Sequence, residues 1–236
     1  MPRRAWEPAW VDPQTKYRYY LPEQLVALDI ITLCIKLGIP LKNLKKHIAP
    51  DGTLDKKSLL ELGKQVMEEK IAGMQLGVEI TELNLRSMEE NQEYCGRQGV
   101  YTREIQERFL LEVPFCGNWN DLIQKERMAI DLFQSAQEQG MAPVFPAGMI
   151  LRCDTEPISF SFFVQVLHPR EQDERILRIP KSTFACCQIA ITPQTDILHV
   201  LAQNFAMRDL RTVVISNMIL NNLHFNSRYS EIQIPI

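Results

Sequence analysis

No stretch of this chain approaches the ~20 consecutive apolar residues that cross a bilayer, and its N-terminus carries two arginines with no apolar run behind them. Neither a membrane span nor a secretory leader is expected, and a cytoplasmic protein is. The six cysteines, Cys34, Cys95, Cys116, Cys153, Cys186 and Cys187, form no CxxC pair and find no histidine at ligand spacing. That argues against a metal centre or a disulfide framework and for reduced, mostly buried thiols. His168, His199 and His224 lie on separate segments that no motif groups, so no Ser-His-Asp arrangement stands out. An enzyme is not expected, and neither is a cofactor.

What remains is the composition of a soluble globular protein, 45% hydrophobic and 23% charged over 236 residues, enough for an ordinary domain and a smaller element. Charge is uneven. Residues 1–50 hold eight Lys or Arg against four Asp or Glu, and the remainder holds 18 against 25. A basic head on an acidic body fits nucleic-acid contact at one end, although solvated faces alone would give a similar imbalance.

Residues 10–48, WVDPQTKYRYYLPEQLVALDIITLCIKLGIPLKNLKKHI, are the most informative stretch. Asp12-Pro13-Gln14-Thr15-Lys16 has turn chemistry, and the flanking Trp10-Val11 and Tyr17-Arg18-Tyr19-Tyr20 favour strand, which predicts a small hairpin. Pro22 opens a helix in which Leu25, Leu28, Ile31 or Thr32 and Ile35 recur at helical spacing until Gly38 stops it. Leu41, Leu44 and Ile48 predict a second short amphipathic helix with Lys42, Lys45 and Lys46 facing out.

Residues 55–93 contain no proline. Leu60, Lys64, Met67, Ile71, Met74, Val78, Thr81, Leu85 and Met88 recur in alternating steps of four and three, the seam of a coiled coil. A second stripe, Leu59, Leu62, Val66, Leu76, Ile80 and Leu83, widens the apolar face, so one end is expected to pack on a folded domain as well. Gly63, Gly73 and Gly77 each cost about 1 kcal/mol inside a helix; they either allow close backbone approach or bend it. A single domain of this size cannot cover about 39 helical residues, which favours a homodimer.

After a linker at residues 96–101 the pattern becomes mixed. Residues 108–115 read as a strand, 118–139 as a helix ended by Gly140, and 147–153 and 159–167 as strands. The order then repeats: strand at 183–191, helix at 193–206, strands at 211–220 and 229–236. Two strand-helix-strand-strand units predict one α+β domain with internal pseudo-twofold symmetry, two helices covering one face of an antiparallel sheet.

The wing turn, the YRYY strand, the apolar spacing after Gln24-Leu25 and the Gly38-Ile39-Pro40-Leu41 break resemble the MerR family of transcription regulators. The Ile179-Pro180-Lys181 turn, the Phe184-Ala185-Cys186 strand and the closing Ile234-Pro235-Ile236 are similar to the gyrase-inhibitor-like effector domain of its multidrug-sensing members. The resemblance implies a truncated winged-helix remnant over residues 1–54, a dimerisation helix forming an antiparallel coiled coil over 55–95, and an effector-binding domain over 102–236. In that family a further helix-turn-helix precedes the wing and reads the major groove; only residues 1–6 lie ahead of the wing here. The stretch where metal-sensing members place cysteines, residues 54–62, has no Cys or His.

The resemblance also implies roles. Lys16, Arg18, Tyr19 and Tyr20 would touch DNA phosphates, positioning rather than specifying. Trp119, Phe162, Ile191, Ile219 and Tyr229 would line an effector groove. Trp119 or Phe162 would equally serve as core, and Phe160 shares a face with Phe162. Ile219 stands where the family has a glutamate, and no carboxylate occurs between Thr212 and Arg228, so the effector is expected to be flat, apolar and uncharged. Asn217, Asn221 and Asn222 either offer hydrogen bonds there or close a turn.

The expected protein is therefore a ligand-responsive regulator acting as a homodimer on promoter DNA, without a membrane partner. A dimeric small-molecule-binding protein without sequence-specific DNA binding is the alternative, and a gyrase-inhibitor-like hydrolase the third.

Overall fold

The computed structural model describes residues 8–49, 53–117, 121–170, 172–192, 194–220 and 229–236. They fall into two compact units, Met1–Glu79 and Ile80–Ile236, with the boundary inside one long helix. Mixed helix and antiparallel sheet give the α+β class anticipated from the pattern of elements.

In the first unit, strands β1 (Trp10–Val11) and β2 (Arg18–Tyr19) form the hairpin. Its turn is built as Asp12 dictates: the carboxylate accepts hydrogen bonds from the Gln14 and Thr15 amides, and Lys16 takes a left-handed φ of 63°. A 3-10 turn at Pro22–Gln24 leads into helix α1 (Leu25–Leu37), which ends at Gly38 with φ 71°. That residue accepts the left-handed cap conformation without a Cβ clash. Helix α2 (Leu41–Leu44) follows, then the first turns of helix α3 (Lys56–Tyr94). Cys34, Ile39, Leu44 and Leu59 make a small core, with Leu37 and Leu62 packed against it. Thus Leu59 and Leu62 of the second helical stripe do pack on the folded head. Of the three helical glycines, Gly63 is the one in close approach: a Cβ there would lie 2.6 Å from Leu37 Cδ1, whereas Gly73 and Gly77 face open space.

The second unit is an eight-stranded sheet, β3 (Val100–Ile105), β4 (Arg108–Pro114), β5 (Ala142–Arg152), β6 (Ser159–Leu167), β7 (Ile176–Ile179), β8 (Ser182–Ala190), β9 (Thr212–Asn217) and β10 (Tyr229–Pro235), in the order β3-β8-β10-β9-β5-β6-β4-β7. Every pairing is antiparallel. Helix α4 (Leu122–Glu138) starts at Asp121, whose carboxylate accepts from the Gln124 amide, and helix α5 (Ile197–Asn204) starts at Asp196 in the same manner. Both helices bury apolar residues on one face of the sheet, in a cluster that includes Leu132, Leu201, Ile215 and Ile232. The other face carries Leu110, Ile150, Phe163 and Phe184.

Two strands depart from the sequence reading. β3 occupies part of the stretch read as a linker, and β7 was not anticipated; both are edge strands whose alternation is diluted by polar residues. β5 begins five residues earlier than expected, because it passes through a bulge between Val144 and Ala147 that interrupts the apolar alternation. α5 is shorter than residues 193–206. Gly148 is required where β5 meets β9: a Cβ would lie 2.0 Å from the Ile215 carbonyl oxygen.

Candidate functional site

On the helix-bearing face of the sheet an apolar groove of about 480 Å³ opens beside α4. Its wall is Ala129, Ile130 and Phe133 of α4, and its floor comes from Phe145 and Met149 of β5, Phe162 of β6, Ile215 of β9 and Ser230 of β10, with Ile191 just past β8. The strand floor follows from alternation: every second residue of these strands turns to the helices. The Phe133 and Phe145 rings meet at 5.6 Å and 47°. Phe145 and Ile130 remain 50% and 58% exposed, large apolar side chains at the mouth of a concavity. Among the described lining residues Glu126 is the only carboxylate, with Lys125 beside it on α4. Such a surface offers area and rings to a flat apolar molecule and no unpaired buried charge to a cation.

The sequence-derived residues divide. Phe162, buried in the core cluster, and Ile191 line this groove together. Ile219 lines a different, polar cleft on the opposite face, together with Glu231. Tyr229 opens β10 opposite Ala190 and is half-exposed. Trp119, Asn221 and Asn222 lie outside the described residues. The groove residues that sequence reading missed are Ile130, Phe133 and Phe145. Ile130 and Phe133 sit three apart on the apolar side of α4, a signal that was available; Phe145 is placed by the bulge, which was not.

Sequence reading also missed Glu231, 1% exposed in β10. In Tyr229-Ser230-Glu231-Ile232-Gln233-Ile234, polar side chains fall at every second place opposite Ile232 and Ile234, and that alternation marks a second polar face.

In the first unit, Arg18 and Tyr20 share a cleft of about 500 Å³ with Leu28, Ile31, Leu41, Lys42 and Lys45. Tyr19 turns the other way and stands 5.0 Å from the Trp10 ring, while Lys16 sits in the turn. Three cations, Arg18, Lys42 and Lys45, thus converge, and this edge suits phosphate contact. Thr15 and Gln14 hold the Asp12 carboxyl below its ordinary range.

No protein-family model matches the chain. Among curated proteins it is similar to the multidrug-efflux transporter 1 regulator of Bacillus subtilis (strain 168), at 23% identity over 240 residues that span 96% of this chain and 85% of that protein. Among solved structures it is similar to an EcmrR–DNA complex in EcmrR-RPo (TM-score 0.43, 16% identity, 97% of this chain and 88% of that one) and to the EcmrR C-terminal domain (TM-score 0.42, 16% identity, 58% and 95%). No helix among the described residues is long and apolar enough to cross a membrane.

Proposed function

We propose that this chain, similar along nearly its whole length to a multidrug-efflux regulator, is a dimeric transcription regulator of MerR type whose groove takes a small, flat, uncharged effector. The observation that carries the reading is that likeness, which spans 96% of the chain. It is a regulator and not an enzyme.

The parts support distinct roles. Residues 1–54 supply the wing and helix pair of a DNA-contacting head, with Lys16, Arg18, Tyr19 and Tyr20 on DNA phosphates. Along α3, Leu60, Met67, Ile71, Met74, Val78 and Leu85 are all exposed, an apolar heptad stripe that would lie in water unless a second copy covered it. We assign it to an antiparallel coiled-coil homodimer. The strand-helix-strand-strand order, met twice, reads as an internal duplication whose halves form the effector domain. Phe162 and Ile191 contact the effector with Phe133 and Phe145; Trp119 and Tyr229 are further aromatic contacts carried by the family resemblance, and Ile219 is left to the other cleft. Ligand in the groove then shifts how the coiled coil holds the two heads, changing the twist of promoter DNA between them.

Two measurements test this. Ile71→Asp with Val78→Asp should give a monomer by light scattering; an unchanged dimer mass removes the coiled coil. A matched pair of planar dyes, one neutral and one a quaternary ammonium, should bind within tenfold of each other, and Phe133→Ala should weaken both by about tenfold, roughly 1.4 kcal/mol. Dye binding without any dye-dependent change in transcription from a selected promoter would favour a small-molecule-binding protein instead.

A further inference from the structure

The sheet face opposite the groove carries two buried guanidiniums and one buried carboxylate. Glu231 has its acceptors filled: Oε1 takes the Tyr101 hydroxyl at 2.5 Å and Arg103 Nη1 at 3.2 Å, and Oε2 takes Arg103 Nη1 at 3.2 Å and Gln233 Nε2 at 2.7 Å. Arg103 donates further to Asn91 and lies 3.5 Å from Glu90. Arg108, 6% exposed, places one donor on Gln233 and faces the Phe184 ring at 5.9 Å. The Nε of Arg103 and of Arg108 have no hydrogen-bond partner among the described residues.

Both arginines line a cleft of about 110 Å³ with Leu83, Ile105, Pro146 and Ile219. Its remaining charges are Arg86, Glu90, Glu107 and Glu231, and Glu107 is held 2.6 Å from Arg178. Donors therefore exceed acceptors: the two buried guanidiniums share one buried carboxylate, and Arg108 makes no ion pair of its own among the described residues. A guanidinium has five N–H donors and no acceptor, and burying it without an anion is costly. Burial lowers the Arg108 pKa to about 10, which leaves it charged at neutral pH.

We propose that this cleft is a second ligand site, distinct from the apolar groove, for a small carboxylic acid with an apolar body: the carboxylate completes the Arg108 and Arg103 donors, and the body rests on Leu83, Ile105 and Ile219. A planar carboxylate suits the guanidinium fork in a bidentate pair. The apolar wall and the small volume favour a body of about one ring. The site does not depend on the regulator reading, because neither DNA nor the groove enters its geometry.

Calorimetry on the full chain with sodium benzoate and with benzamide, equal in shape and different in charge, isolates the ion pair. Benzoate should bind at least tenfold more tightly. Arg108→Lys, which keeps the charge and loses the fork, should cut that preference at least threefold, and Arg108→Met should erase it. Without benzoate, Arg108→Met should resist urea better than the parent, since it removes a buried charge that has no direct ion pair; with saturating benzoate the order should reverse. Phe133→Ala, in the groove, should leave benzoate binding unchanged. Equal affinity for the two probes, no benzoate binding, displacement of benzoate by equimolar inorganic phosphate, loss of binding in Phe133→Ala, or unfolding of Arg108→Met each overturns the proposal.

Discussion

The two faces of the sheet share one backbone and follow opposite rules. Along β10, Ser230, Ile232 and Ile234 turn to the helices, with the two isoleucines in the main apolar cluster. Glu231 and Gln233 turn the other way, into a network held by Arg103, Arg108 and Tyr101. On the helix face, stability comes from area removed from water and tolerates imperfect fit. On the other it comes from pairing, and each group is worth much less than the loss of its partner. A face built from apolar area can open a groove at modest cost. A face built from pairs tolerates a cleft only where an incoming group can complete them.

The largest expected effect breaks the polar face. Arg103→Leu leaves Glu231 buried without its cation and should cost about 4 kcal/mol in urea unfolding. Ile232→Ala, its neighbour across the backbone, should cost about 3 kcal/mol through the cavity alone. If the alanine variant costs more, pairing is not what holds the polar face.

A smaller effect concerns pH. Burial, and after it the Glu231 charge, pushes the Cys186 thiol well above its ordinary 9.0. A raised acid group keeps its proton in the fold while the unfolded chain releases it. Its contribution is therefore complete below pH 9 and is lost as pH climbs above it. Stability should fall between pH 8 and pH 10 by up to about 1.4 kcal/mol on account of this thiol. Cys186→Ala should reduce that slope. Arg108 acts in the opposite sense, because its folded pKa is depressed, but only above about 10; burial raises the Cys34, Cys153 and Cys187 thiols too, so a slope left unchanged in Cys186→Ala below pH 10 would place the titration on them.

The smallest effect lies outside both faces and serves as their control. Lys16→Ala and Arg18→Ala should each flatten the log–log dependence of DNA affinity on salt by about 0.9, measured by fluorescence anisotropy, with no change in dye or benzoate binding.

Local signals carried the sequence reading far. The Asp12 turn, the Gly38 stop and the proline-free helix α3 are written within a few residues of where they act, and each took the expected form. The β3 and β7 edges were illegible because an edge strand buries too little to enforce alternation. Phe162 and Ile191 were offered as groove residues by the family resemblance, and both line the apolar groove. Glu231 was harder to assign: the alternation in β10 marks a polar face, but Tyr101 and Arg103 reach the carboxylate across a pairing between distant segments, with Gln233 joining from the same strand. Phe145 depended on a bulge, a feature of register rather than composition.

The notch at Gly63 gives the head a mechanical property. Leu37 seats where α3 lacks a Cβ, and the residues on either side, Leu62 and Lys64, both carry long side chains. A turn of α3 by one residue, about 100°, would drive one of these against α1 in place of the notch. α1 is therefore geared to α3 by a single missing tooth: small rotations are resisted by the walls of the notch, and a large one must jump a full step. Torque applied along α3 would reach α1 as a click rather than a drift.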